Sequence, residues 1–195
     1  NADEKLYPAS LTKVLTAILV VEKCGLQDNV TINQSAIDKV ESGYLTANLK
    51  TGEVFTVEQL LNLLLISSYD DVANALAEHV AGSEEEFVQM MNNKAKELGM
   101  ENTHFEDCCG LSDSDDHYTT ARDVAIMSRE LITKYPQVFE YTRIWMEDIT
   151  HETSQGTSVF TLSSTNKLLK MYEWTTGLKT GSTSKALYCG NGIPK

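Results

Sequence analysis

The run Val14 to Val21 limits most strongly how this chain can fold. Every position in it is apolar except Thr16. No wet face is left for a surface helix, and the run falls well short of the roughly 20 residues a membrane span needs. It must be a helix inside a globular core. Pro8 and Ser10 stand at its start and Gly25 follows its last residues, in the usual order of helix start and stop signals. The buried helix therefore opens on Ser10-Leu11-Thr12-Lys13. Spacing of three stacks the Ser10 hydroxyl and the Lys13 amine on one helical face. A serine at a helix N-terminus faces the positive end of the dipole, which favours developing negative charge. A lysine desolvated beside an apolar wall has its pKa lowered, so Lys13 is the candidate to accept the serine proton.

Length and charge bound what surrounds this helix. With 195 residues and 42% hydrophobic content the chain supports one domain with a sizeable core. The formal charge is -12, from 28 acidic and 16 basic residues, and no Lys/Arg cluster escapes that field. This field repels phosphate backbones and anionic lipid heads, which argues against nucleic acid as a partner. The sequence opens with neither Met nor an export leader. Its four cysteines, Cys24, Cys108, Cys109 and Cys189, have no regular spacing, and the adjacent pair is a poor start for a disulfide framework. Cys24 and Cys189 read as small buried hydrophobes.

The remaining pattern is a helical body with a few strands, an α+β arrangement. Val30 to Ile32 reads as a short strand. Thr56 and Gln59 have capping-box spacing and open a helix that stops at Ser67-Ser68. A second helix runs from about Asp70 to His79 and closes at Gly82, leaving a short polar junction between the two. Ser83 and Glu86 open an amphipathic helix that ends at Gly99. Residues 101 to 118 are rich in Asp, Ser and Gly and form a loop, after which Thr119 and Thr120 cap a helix that Pro136 ends. Arg143 to Thr150 and Thr157 to Ser163 flank Gln155-Gly156 as a hairpin. Trp174 to Thr180 is extended, and the tail from Gly190 to Lys195 does not read as a strand.

Two further motifs accompany the first. Lys179-Thr180-Gly181-Ser182-Thr183 is a K-T-G element at the end of the extended piece. Its glycine lets backbone approach a ligand, its lysine offers charge to a carboxylate, and its hydroxyls donate hydrogen bonds. Between the two, an S-x-N element is expected, and the helix junction has Ser68-Tyr69-Asp70, with an acid in place of the amide.

Together these stretches resemble the low-molecular-mass penicillin-binding carboxypeptidases, the serine-type D-alanyl-D-alanine carboxypeptidases. The resemblance is carried by residues 7–13, 75–83, 95–100, 102–105 and 177–181 in one colinear order. It implies a single catalytic domain over 1–195, a helical body packed on an antiparallel sheet. Members have strands before the nucleophile helix and after K-T-G, so this sheet is expected to be incomplete at both ends. By resemblance Ser10 is the acylated nucleophile, Lys13 its general base, and Ser68 the relay to the leaving D-alanine. Lys179, Thr180 and Thr183 hold the terminal carboxylate beside Gly181, and the backbone N–H groups of Ser10 and Ser182 form the oxyanion hole. The implied substrate is a peptidoglycan stem peptide ending in D-Ala-D-Ala. β-Lactam antibiotics are further ligands, no cofactor is needed, and the location is extracytoplasmic. A C-terminal membrane anchor, if there is one, lies outside these residues.

Asp70 is the main departure. An amide there accepts from the lysine and donates to substrate, whereas a carboxylate only accepts and also stabilises charged Lys13. Reduced turnover is the expected result. Asn74, about one turn along the same helix, is too far to substitute. Two other readings compete. Glu58-Gln59-Leu60-Leu61-Asn62 spells the E-x-x-L-N of a class A β-lactamase, but it precedes Ser68 and sits in an apolar helical pattern. A penicillin-binding or cell-wall recognition module that has lost its rate is the other. His104, Asp107, Cys108, Cys109 and His117 crowd one loop but match no common zinc spacing, so no metal is assigned. Asp113, Asp115 and Asp116 read as a solvated loop.

Overall fold

A computed structural model describes residues 1–153 and 155–194. A 3-10 turn, Ala9–Leu11, runs directly into helix α1, Thr12–Lys23, and residues 12 to 20 of α1 are all buried. Fully burying a Val, Leu or Ile contributes about 1.5–3 kcal/mol, so this helix is the centre around which the rest assembles. Its few polar side chains are matched by a loop. Thr16 donates to the Cys108 carbonyl at 2.8 Å, and Thr12 meets His117 at 3.4 Å.

The body around α1 is helical. Strand β1 (Asn29–Thr31) pairs antiparallel with β2 (Val54–Thr56), and the short helix α2 (Gln34–Asp38) lies between them in sequence. The expected capping box is formed: Thr56 accepts from the Gln59 N–H and Gln59 returns the bond, which opens α3, Val57–Asn62. This helix does not stop cleanly. It widens into a π turn, Leu63–Ser67, and the chain then enters the left-handed region at Ser68 (φ 66°) before α4, Asp70–Ala81. Such widened turns concentrate at functional sites because they re-aim one residue out of a helix. Ser83 accepts from the Glu86 N–H to open α5, Glu84–Leu98, and Thr120 accepts from the Asp123 N–H to open α6, Ala121–Lys134. Pro136 does more than end α6. It occupies the first turn of α7, Pro136–Tyr141, where its missing N–H costs nothing.

Two hairpins complete the structure. Strands β3 (Met146–Thr153) and β4 (Gly156–Ser163) pair as expected, and the short helix α8 (Leu168–Met171) leads to β5, Thr175–Thr183. The tail corrects the sequence reading. Leu187–Pro194 is strand β6, and it pairs antiparallel with β5 from Thr183↔Leu187 to Thr175↔Pro194. Its Gly190-Asn191-Gly192 segment has no apolar alternation, so the strand is specified by pairing with β5 and by tertiary bonds. Asn191 Oδ1 accepts from the Lys179 N–H at 2.9 Å, and its Nδ2 donates to Ser128 at 2.8 Å. The described strands form three two-stranded antiparallel sheets within a mainly helical body.

Candidate active site

The three motifs meet at one cleft of about 400 Å³, lined by Ser10, Ser68, Thr180, Gly181 and Ser182 among others. A larger apolar groove of about 710 Å³ lies between α6 and the β5–β6 hairpin but includes neither Ser10 nor Ser68, so size does not mark the site.

Each motif reaches the cleft by a local device. Ser10 sits in the 3-10 turn after Ala9, whose φ of 47° is unusual for a residue with a Cβ. Strand β5 crosses this turn so closely that a Cβ on Gly181 would lie 2.6 Å from the Ser10 nitrogen. Gly181 is therefore required by contact. Ser68 is delivered by the π turn. Strain in residues such as Ala9 and Ser68 persists only where surrounding structure over-determines it.

Lys13 is fully buried and donates to three acceptors: Asp70 Oδ1 at 2.6 Å, the Cys109 carbonyl at 2.8 Å and Ser10 Oγ at 3.1 Å. An ammonium has three N–H donors and no lone pair, so this arrangement is that of a charged lysine at rest. Burial is the largest single influence and lowers its pKa, but Asp70, with smaller contributions from Cys109 and Asp107, outweighs burial and the net shift is upward. The expectation that burial alone makes Lys13 a ready base is corrected by Asp70, in the direction that a carboxylate at this position implies.

Lys179 behaves in the opposite way. It is also buried, and its ammonium donates to Ser68 Oγ at 2.8 Å and to the Thr180 carbonyl at 2.9 Å. Burial and then the positive charge of Lys13 push its pKa well below the ordinary lysine value, only partly opposed by Asp70. Ser68 thus stands against one lysine while Ser10 stands against the other. Thr180 Oγ1 meets Thr165 Oγ1 at 2.6 Å on the cleft wall. Thr183 is placed elsewhere: its hydroxyl accepts from the Ala186 N–H at 3.0 Å in the hairpin turn, and it is not among the cleft-lining residues.

The family profile described as D-alanyl-D-alanine carboxypeptidase matches residues 1–190. The chain belongs to the D-alanyl-D-alanine carboxypeptidase family. The carboxypeptidase DacF of Bacillus subtilis is 39% identical over 194 residues, covering 97% of this chain and 48% of its own length. DacA of Escherichia coli is 35% identical over 196 residues, covering 96% of this chain and 47% of its own length. The chain thus spans about half the length of the curated relatives it matches. The crystal structure of the Streptomyces K15 DD-transpeptidase covers 100% of this chain and 78% of its own, with 30% identity and a TM-score of 0.90.

Within this carboxypeptidase fold the β-lactamase reading of Glu58 fails on geometry. Its carboxylate is held by Gln27 at 2.9 Å and Tyr141 at 2.8 Å, and it does not line the cleft. The loop after α5 supplies residues that sequence reasoning missed. Asp107 accepts from the N–H groups of Cys109, Gly110, Leu111 and Ser112, and so shapes the turn that presents the Cys109 carbonyl to Lys13. An Asp followed by a small-residue turn is the available signal for such a nest. Asp71 does the same for residues 47 and 49, while the Asp70 N–H donates to the Leu45 carbonyl. Burial raises the Asp71 pKa against the backbone donors that lower it. His104 and His117 are structural: His104 Nδ1 bonds the Asp116 carbonyl at 2.7 Å, and His117 Nδ1 accepts from the Glu106 N–H at 3.0 Å. Asn74 is turned away from Ser10, its amide donating to the Ala36 carbonyl at 3.2 Å.

Proposed function

We propose that this chain is the catalytic part of a serine D-alanyl-D-alanine carboxypeptidase that forms an acyl-enzyme on Ser10. The observation that carries the reading is that Ser10 and Ser68 line one cleft, each backed by a buried lysine, Lys13 at 3.1 Å from Ser10 Oγ and Lys179 at 2.8 Å from Ser68 Oγ. A nucleophile bonded to its base, with a second lysine-bonded serine on the same cleft wall, is an arrangement suited to acyl transfer.

Acylation starts with Lys13 passing a proton to Asp70, which frees a lone pair for the Ser10 proton. Ser10 Oγ then bonds to the carbonyl carbon of the penultimate D-alanine, and the N–H groups of Ser10 and Ser182 receive the oxyanion. Ser68 gives its proton to the departing amine and regains one from Lys13, the proton that Ser10 lost, as the C–N bond breaks and D-alanine leaves. Water attacks the ester, Lys13, neutral again, takes a proton from that water and passes it to Ser10 Oγ as the ester C–O bond breaks, and Asp70 then returns its proton to Lys13. Lys179 and Thr180 hold the substrate carboxylate. Penicillin enters at the first step and opens its ring without losing an atom. The substrate, a peptidoglycan stem peptide, places the protein outside the cytoplasm. No helix among the described residues is long and apolar enough to cross a membrane.

Intact mass spectrometry after incubation with penicillin tests this. The expected result is a single adduct of the full antibiotic mass, absent from Ser10→Ala, with D-alanine released from an acylated peptide ending in D-Ala-D-Ala. An adduct without any D-alanine release favours the recognition module instead. No adduct overturns both.

A further inference from the structure

Cys108 and Cys109 belong to none of the chemistry above through their side chains, yet both thiols are buried, at 0% and 3% exposure. They do not simply fill space. The two Sγ atoms lie 3.7 Å apart and converge on groups from two helices. Asn74 Oδ1 of α4 is 3.2 Å from Cys108 Sγ and 3.3 Å from Cys109 Sγ, and Glu84 Oε1 at the start of α5 is 3.5 Å from Cys108 Sγ. The thiols and the Glu84 carboxylate all lie within 4.8 Å of one another.

We propose that Cys108, Cys109, Glu84 and Asn74 form a tetrahedral binding site for a thiophilic divalent cation, zinc above all. The argument is geometric. Zinc bonds of about 2.3 Å to sulfur and about 2.0 Å to oxygen, set at tetrahedral angles, require about 3.8 Å between two sulfurs and about 3.5 Å between sulfur and oxygen. The sulfur–sulfur separation and the three sulfur–oxygen separations at 3.2–3.5 Å lie within a few tenths of an ångström of those edges, and Cys109 Sγ lies within 4.8 Å of the Glu84 carboxylate. Two thiolates with oxygen partners suit zinc rather than magnesium or calcium.

The outer groups are set to aim the ligands. The Asn74 amide nitrogen is committed to the Ala36 carbonyl, which fixes its oxygen toward the sulfurs. Lys39 holds Glu84 Oε2 at 3.1 Å and leaves Oε1 facing Cys108. Such outer contacts are the usual way a metal site fixes its ligands. Glu84 is partly exposed and gives the ion a path from solvent. Binding displaces the two thiol protons to solvent and leaves one net negative charge. The site would tie the loop carrying the Cys109 carbonyl, and with it Lys13, to α4 and α5. Sequence spacing could not reveal it, because Asn74 and Glu84 lie well before the cysteines in the chain.

Cobalt(II) reports this geometry directly. It is titrated into the full chain after reduction with a phosphine and removal of metal by chelation. The expected result is one equivalent bound, with intense tetrahedral visible absorption and a sulfur-to-cobalt charge-transfer band that one equivalent of zinc abolishes. Cys108→Ser should reduce that band to the intensity of a single thiolate. Glu84→Gln, at a partly exposed position and checked by circular dichroism, should weaken binding by roughly 10-fold or more, the scale on which even outer groups act. A weak octahedral spectrum without charge transfer overturns the proposal, as does an undiminished band in Cys108→Ser. These readouts do not involve Ser10, so they stand or fall apart from the carboxypeptidase reading.

Discussion

Asp70 holds the Lys13 ammonium at 2.6 Å, closer than Ser10 does at 3.1 Å. Before Lys13 accepts a proton from Ser10, it must give one up, and the carboxylate that takes it is also the group that stabilises it. Asp70→Asn removes this opposition and lets burial lower the lysine. Acylation by a chromogenic β-lactam, followed by stopped flow, should accelerate by about 10-fold or more, since one pKa unit corresponds to about 1.4 kcal/mol. A rate that is unchanged or slower refutes the assignment of Asp70 as the brake.

Lys179 predicts a pH dependence of substrate capture. Its folded pKa is depressed by burial and by Lys13, so its positive charge is present at low pH and lost as pH rises through that depressed value. KM for a peptide with a free terminal carboxylate should therefore rise on the alkaline side well before a free lysine would titrate. The corresponding methyl ester should show no such limb. For stability the sign reverses: between the depressed folded value and the ordinary unfolded value of 10.5 the unfolded chain binds the extra proton. The contribution of Lys179 to stability thus grows with pH across that window. If acid and ester give the same alkaline rise in KM, the carboxylate is not held by Lys179.

The residues proposed to make this chemistry were legible because each carries a local signal. Ser10 and Lys13 stand at the mouth of an apolar helix, and Thr56 with Gln59 forms the box that begins the helix leading to Ser68. What was not legible depends on partners distant in sequence. Strand β6 exists because β5 pairs with it, and no alternation in Gly190-Asn191-Gly192 announces that. Pro136 signals a boundary equally well as the end of α6 or the start of α7, and the chain uses it for the latter. Thr183 fits a K-T-G reading by position, but the hairpin turn takes its hydroxyl. Asp107 stands in the sequence among the possible metal ligands of its loop, and its four backbone donors instead show it shaping the turn.

Gly181→Ala tests whether strand and nucleophile are in register. The added Cβ would meet the Ser10 nitrogen at 2.6 Å and the Ala9 Cβ at 3.0 Å, which backbone cannot accommodate in place. β5 must move off the turn, opening the space between Ser10 and the K-T-G edge. Displacements of about 1 Å at a reacting centre cost roughly 100-fold in rate, and penicillin acylation should fall by that order. Circular dichroism should be little altered, since the β5–β6 pairing and the helical core are not touched. Full acylation rate in a folded Gly181→Ala chain would show that β5 does not set the position of Ser10.

Asp107 joins stability and catalysis through one loop. Its carboxylate takes four backbone N–H groups, and without it these donors are left to rearrange or to seek water. An unsatisfied buried donor costs about 1–3 kcal/mol, so Asp107→Ala should lower the melting temperature measurably. The second effect is specific to this site. The same turn aims the Cys109 carbonyl at Lys13, 2.8 Å away, and Gly110 packs against the Ala9 carbonyl so tightly that a Cβ there would come within 1.8 Å of it. Loosening the turn therefore frees both the lysine and the backbone beneath Ser10. Acylation should drop further than the lost stability explains when measured well below the melting transition. Asp107→Asn keeps one acceptor oxygen and should recover part of both. A variant that melts earlier but acylates normally at low temperature would limit Asp107 to holding the fold.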